Sequence, residues 1–279
     1  LVSKLFQANV LQSDMAPDID SLHNRHKTIA RKKLLQTLKS PLGIRLPLCD
    51  PDRFLSATVN WVQPIFSLLG MLVWLGVVVY ALVLAGMHFD ALTSNMSDRV
   101  LSVENILLTM LVYPVVKLIH EMGHAYAVKR WGGEVHEMGV MFLVFFPVPY
   151  VDASAASAFR NKYQRMIVGA SGIMVEGAIA AVAMILWVSM EPSIARAVAY
   201  NTMLIAGVST ILFNGNPLLR FDAYYVLADF LEIPNLAVRG NQQLGYLIKR
   251  YAFGVREIDS LASSRRESTW LVCYSITSY

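Results

Sequence analysis

Residues His120-Glu121-Met122-Gly123-His124 place two imidazoles and a carboxylate within little more than one helical turn. Residues four apart share a helix face, so both rings can point at one metal ion, and Glu121 beside them can polarise a water held there. Neutral imidazoles suit Zn²⁺ best among common metals. A catalytic zinc usually takes three protein ligands. Asp222, Asp152, Glu176 and His136 are the candidates for the third. Asp222 follows Asn214-Gly215-Asn216-Pro217 at the end of an apolar block, at the same expected membrane depth as His124. Glu176 is expected nearer mid-membrane. Asp152, after Pro147-Val148-Pro149-Tyr150, suits a turn better than a ligand position, and His136 suits an ordinary hairpin residue.

The elements that must hold these groups are apolar. Of 279 residues, 55% are hydrophobic and 16% charged, against about 25% charged in a soluble domain. A soluble enzyme and a disordered chain are both excluded. Ile65–Met87 carries no charge and is long enough to cross a bilayer, and Val100–Val128, Met166–Met190 and Ala197–Phe213 form three further apolar blocks. Trp61 suits an interfacial position and Trp74 a lipid-facing one. Trp131–Asn161 is punctuated by Gly132, Gly133, Gly139, Pro147 and Pro149. Irregular backbone at membrane depth survives only inside protein or beside a wet cavity, so a hairpin or re-entrant segment is expected there. The apolar run Trp270–Tyr279 reads as the start of a fifth span, as in a fragment of a longer chain. The expected fold is an all-α integral membrane protein of about four transmembrane helices, with a fifth truncated.

Three regions follow: a basic cytoplasmic segment over 1–60, a membrane core over 61–230, and a polar segment leading to a further span over 231–279. A helix is expected over Ile29–Leu38, and an amphipathic surface helix over Leu244–Phe253. The net charge, 24 − 20 = +4, sits beside the apolar blocks on one side, as topology charges do, and indicates no nucleic-acid contact. Cys49 and Cys273 have no partner motif.

Three ionisable residues within five positions of an apolar helix are expensive and mark function. Lys117 lies four residues before Glu121, on the same face. Its ammonium either sets the protonation of Glu121 or pairs with Glu176 across spans. Glu176 sits among Gly169, Ala170, Ser171, Gly172, Gly177, Ala178 and Ala180, small residues that permit close helix packing. Lys117, Asp152 and Glu176 are therefore supporting candidates around the site. A non-catalytic scaffold of a peptide-export or adaptor complex is the alternative to an enzyme. A transporter ranks last, for want of inverted repeats.

His120–His124 followed by Asn214-x-x-Pro217-x-x-x-x-Asp222 resembles the site-2 protease family of intramembrane zinc metalloproteases, which pair H-E-x-x-H with N-x-x-P-x-x-x-x-D-G. The chain departs at the last position, where Ala223 stands. Pro41–Leu48, Gly132–His136 and Pro147–Ser154 further resemble a bacterial branch of peptide zinc metalloproteases associated with secretion adaptor proteins. The resemblance implies that His120, His124 and Asp222 bind zinc and that Glu121 is general base, then general acid. It implies that Asn214 holds substrate backbone, and that the hairpin around Glu134–Val140 offers an edge to an extended peptide. The implied partners are the lipid bilayer, a membrane-anchored or exported peptide substrate and a secretion adaptor. The implied location is the bacterial inner membrane, with the site near the cytoplasmic face.

Overall fold

A computed structural model of the chain describes residues 44–94, 102–143, 146–255, 260 and 262–278. The helix expected over Ile29–Leu38 and the basic residues before Ile44 lie outside them. The chain divides into two compact units, residues 1–45 with 141–147 and residues 46–140 with 148–279. The described part of the first consists of the ends of short strands, and the candidate site lies within the second.

Among the described residues, four helices are long and apolar enough to cross a membrane, at the four predicted blocks: α2 (Leu68–Met87), α4 (Val103–Arg130), α5 (Lys162–Ser189) and α6 (Ile194–Ser209), which runs on through a π-turn, Thr210–Asn214. Each begins at a polar side chain that accepts an otherwise orphaned N–H: Ser67 from Gly70, Ser102 from Asn105, Asn161 from Tyr163 and Ser193 from Arg196. The 28 residues of α4 rise about 42 Å at ~1.5 Å each, more than a ~30 Å hydrocarbon core. Its last turn, with Lys129 and Arg130, therefore has room to stand clear of the lipid. Shorter α-helices among the described residues are α1 (Asp52–Val62), α3 (Phe89–Thr93), α7 (Asp222–Leu231), α8 (Leu236–Leu247) and α9 (Arg265–Thr277).

Helix α5 is the hub, packing against α2, α4, α6 and α7. Its small residues permit this. A Cβ on Gly123 of α4 would lie 2.8 Å from Val175 Cγ2 and 3.2 Å from the Ser171 carbonyl oxygen, so only glycine allows the two backbones this close. Trp74, expected to face lipid, instead turns onto α5: its Nε1–H donates to the Met174 carbonyl at 2.8 Å, and its ring lies over Gly177. An indole N–H in lipid would have no acceptor, and a spare carbonyl one helix away supplies it. Apart from Ala81, α2 buries none of its residues fully, as a helix on the lipid side of a bundle should.

The expected hairpin is present as β2 (Met138–Leu143) and β3 (Phe146–Val151). A third strand, β1 (Ile44–Cys49), joins it in the order β1-β2-β3. Of the edge expected over Glu134–Val140, the part in β2, Met138–Val140, is covered, because β2 is the central strand and Gly139 lies against the Leu46 carbonyl, whereas Glu134–Glu137 precedes the strand. The sequence reading missed this because β1 comes from the distant residues before α1. The expected amphipathic helix over Leu244–Phe253 begins earlier, as α8, and its tail exposes Ile248, Tyr251 and Phe253. Of Trp270–Tyr279, read as the start of a further span, the described residues Trp270–Ser278 lie in and just after α9, which packs Leu271, Tyr274 and Ser275 against α8.

Candidate active site

Helix α4 brings His120 and His124 to one face, as their spacing requires, and their Nε2 atoms lie 3.1 Å apart. Asp222, the first residue of α7, meets them: its Oδ2 is 3.2 Å from His120 Nε2 and 3.5 Å from His124 Nε2. The intervening turn is fixed by its own polar groups. Asn216 accepts the N–H of Leu218 at its side chain and that of Leu219 at its carbonyl, and Tyr274 of α9 donates to the Leu218 carbonyl. Phe221 is extended, and Asp222 opens the next helix.

Three observations show that this set suits a metal ion. One donor atom each from His120, His124 and Asp222 lies within 4.8 Å of the others. Asp222 Oδ2 is buried and has no hydrogen-bond partner among the described residues, a costly state for a carboxylate oxygen unless a cation completes it. A Cβ on Gly172 of α5 would lie 2.5 Å from both Nε2 atoms, so the glycine leaves open the space that the two rings face. Charge agrees. Written in ionised form, Lys117 against Glu121, Glu176 and Asp222 leaves two negative charges for a divalent ion to balance.

Each imidazole is also held from behind. The Nδ1 of His124 lies 2.7 Å from the Val168 carbonyl and 3.2 Å from Ser171 Oγ, and Ser171 Oγ itself donates to Val168 at 2.6 Å. A carbonyl can only accept, so Nδ1 carries the proton and Nε2 keeps its lone pair for the metal side. Ser171 and Val168 were not singled out from the sequence. Ser171 is one more small residue in a small-residue helix, and a backbone carbonyl has no sequence signal.

Glu121 accepts the Val151 N–H at Oε2, 3.1 Å away, so the end of β3 orients the carboxylate. Glu121, His124, Val151, Asp222 and Tyr225 line a cavity of about 930 Å³ that continues past Ser157. A second cavity, about 490 Å³, lies toward the other end of α4 beside Glu104, Trp187 and Arg196.

The remaining candidates separate cleanly. Lys117 pairs with Glu176 at 2.5 Å, the second of the two readings offered for it. Glu176 is fully buried and meets His120 from the Nδ1 side. Asp152 accepts the Ser154 N–H in a local turn. His136 is exposed, between Glu134 and Asp50, whose hydrogen bonds hold its pKa above the usual imidazole value. Asn214, expected to hold substrate backbone, is 6% exposed, donates its amide to Glu176 Oε2 at 2.9 Å and does not line the 930 Å³ cavity.

Four apolar spans, a His-His-Asp donor set with both imidazoles on one of them, and a carboxylate at the cavity wall are the parts of a membrane-embedded metalloprotease. The sequence profile of peptidase family M50 matches residues 105–262, and the chain belongs to that family, the site-2 proteases, which are membrane zinc metalloproteases. No curated protein and no solved structure gives a match.

Proposed function

We propose that the protein is an intramembrane zinc endopeptidase whose metal is held by His120, His124 and Asp222. The convergence of these three side chains, with the unpartnered Asp222 Oδ2 between two imidazole nitrogens, carries the reading. Zinc bound there supplies a Lewis acid that polarises a carbonyl and acidifies water. The chain's own groups do the rest. Val168 fixes the proton on His124 Nδ1. Glu121, held through Oε2 by Val151, faces the cavity and takes the proton of the attacking water, then delivers it to the leaving amine. A scissile peptide enters extended, because a helix hides its carbonyls in its own hydrogen bonds.

The substrate class we assign is a membrane-anchored or exported peptide, cut near the cytoplasmic face of a bacterial inner membrane, with a secretion adaptor as partner. The basic ends Lys129-Arg130 and Arg160-x-Lys162 support that orientation by the positive-inside rule. The family membership and the cavity beside Glu121 support the reaction.

The test is zinc content together with cleavage. Full-length protein in detergent should hold about one zinc per chain, lost or weakened in Asp222→Ala. In proteoliposomes carrying a library of single-span peptides, Glu121→Gln should abolish cleavage while keeping zinc and fold. A well-folded wild type that takes up no zinc from added metal would sink the reading.

A further inference from the structure

Lys117 and Glu176 form a buried ion pair that the proposed peptide hydrolysis does not use. Glu176 is fully buried in α5, and Lys117 is 9% exposed in α4. Removing two charges from water into the middle of a helix bundle is expensive, and hydrophobic residues of similar volume hold helices together as well or better. The pair therefore calls for a role beyond packing.

Its surroundings indicate one. Four groups converge on the Glu176 carboxylate. Lys117 Nζ lies 2.5 Å from Oε1 and His120 Nδ1 3.1 Å from the same oxygen. Thr210 Oγ1 donates to Oε2 at 2.8 Å and Asn214 Nδ2 at 2.9 Å. Lys117 is also tied to Ser209 Oγ at 2.6 Å. Ser209, Thr210 and Asn214 lie at the junction of α6 with its π-turn, so α4, α5 and α6 all contribute to the cluster. His120 Nδ1 is buried and, among the described residues, completes no hydrogen bond of good geometry, although Glu176 Oε1 stands 3.1 Å away.

We infer that Glu176 is a positioning residue for His120: it accepts the Nδ1 proton and so turns the Nε2 lone pair toward Asp222 and His124. Lys117, Thr210 and Asn214 hold the carboxylate in place, and Lys117 balances its charge. The two imidazoles are then anchored differently, His124 by a backbone carbonyl and His120 by a buried carboxylate. A carboxylate behind a ligating imidazole fixes its tautomer and raises its basicity. Asn214 on this account serves the metal through Glu176 rather than through substrate. The inference rests on the zinc reading above.

The test measures zinc affinity by chelator competition on full-length protein in detergent, with the visible spectrum of the Co²⁺-substituted protein as a report on ligand geometry. Glu176→Gln puts an NH₂ among four donors and strands Lys117, so it can fail to fold. The paired change Lys117→Met with Glu176→Leu leaves no buried charge and is the decisive variant. Zinc binding in it should weaken about 10–100-fold, with an altered Co²⁺ spectrum and thermal stability at least that of the metal-free wild type. Asn214→Ala should weaken zinc in the same direction by less. Wild-type affinity and an unchanged spectrum in the folded double variant would show that the pair is structural only, overturning this inference and leaving the zinc site intact. A wild type that binds no zinc would overturn both.

Discussion

Gly172→Ala adds one methyl group where the structure has no room for it. The new Cβ would lie 2.5 Å from His120 Nε2 and from His124 Nε2, against 3.4 Å for ordinary contact, a shortfall of about 0.9 Å to each ring. Donor distances in a metal site tolerate only about 0.2 Å, so the displacement is roughly four times what the ligands can absorb. Stability should fall by no more than about 2.5 kcal/mol: overpacking costs about 1–3 kcal/mol, and alanine in place of glycine returns about 0.5–1 kcal/mol in a helix. The variant should therefore fold, yet bind zinc at least about 100-fold more weakly. The assay is zinc per chain by elemental analysis, with a thermal melt of the same detergent sample. Gly169→Ala is the control on the same helix, since its Cβ would press on the Val226 side chain alone, at 3.1 Å, with the Val226 nitrogen and the Asp222 carbonyl oxygen at ordinary contact distances of 3.7 and 3.8 Å. A folded Gly172→Ala protein that keeps one zinc per chain at wild-type affinity would refute the convergence of the two rings beneath α5.

Asp52 Oδ1 takes both Lys129 Nζ, at 2.6 Å, and the Val135 N–H, at 3.0 Å, so Asp52→Ala should cost about 1–3 kcal/mol in a thermal melt. Lys129, then Val135, hold the Asp52 pKa below its ordinary 3.8. Its stabilisation is thus complete above the ordinary carboxylate range and fades as pH falls through the lowered value; Asp52→Asn should lack that acid-side loss. Trp74→Phe removes the hydrogen bond to Met174 and should lower stability by about 0.5–1.5 kcal/mol, read from the melt of the detergent-purified protein. A zinc chelator should lower the melting temperature of the wild type, by the equivalent of about 2.7 kcal/mol where zinc had stood at 100 times its Kd, and leave Asp222→Ala unmoved.

The four spans were legible because a bilayer demands long uncharged runs and the chain supplies them. His120 and His124 were legible because a four-residue spacing fixes their shared face whatever surrounds it. Asp222 was one of four candidates by position, and became the favoured one through its spacing from Asn214. What stayed hidden depends on contacts between distant segments. No local pattern announces that β1 covers β2, that Trp74 turns inward onto Met174, or that Asn214 faces Glu176 and not the cavity. Val168 anchors His124 through its backbone, which residue type cannot reveal. Glu176 and Lys117 were noticeable as charges in apolar helices, but the π-turn that brings Thr210 and Asn214 onto the same carboxylate was not.

The donor set is split along the chain: both imidazoles belong to α4, while the carboxylate that completes them opens α7, beyond two further spans. A nascent polypeptide that has inserted only as far as α5 carries the H-E-x-x-H pentapeptide but not the full cluster. Hydrolytic competence thus arrives late in biogenesis, after the bundle has closed around it. Half-inserted molecules would hold the two imidazoles without the carboxylate that completes the proposed site.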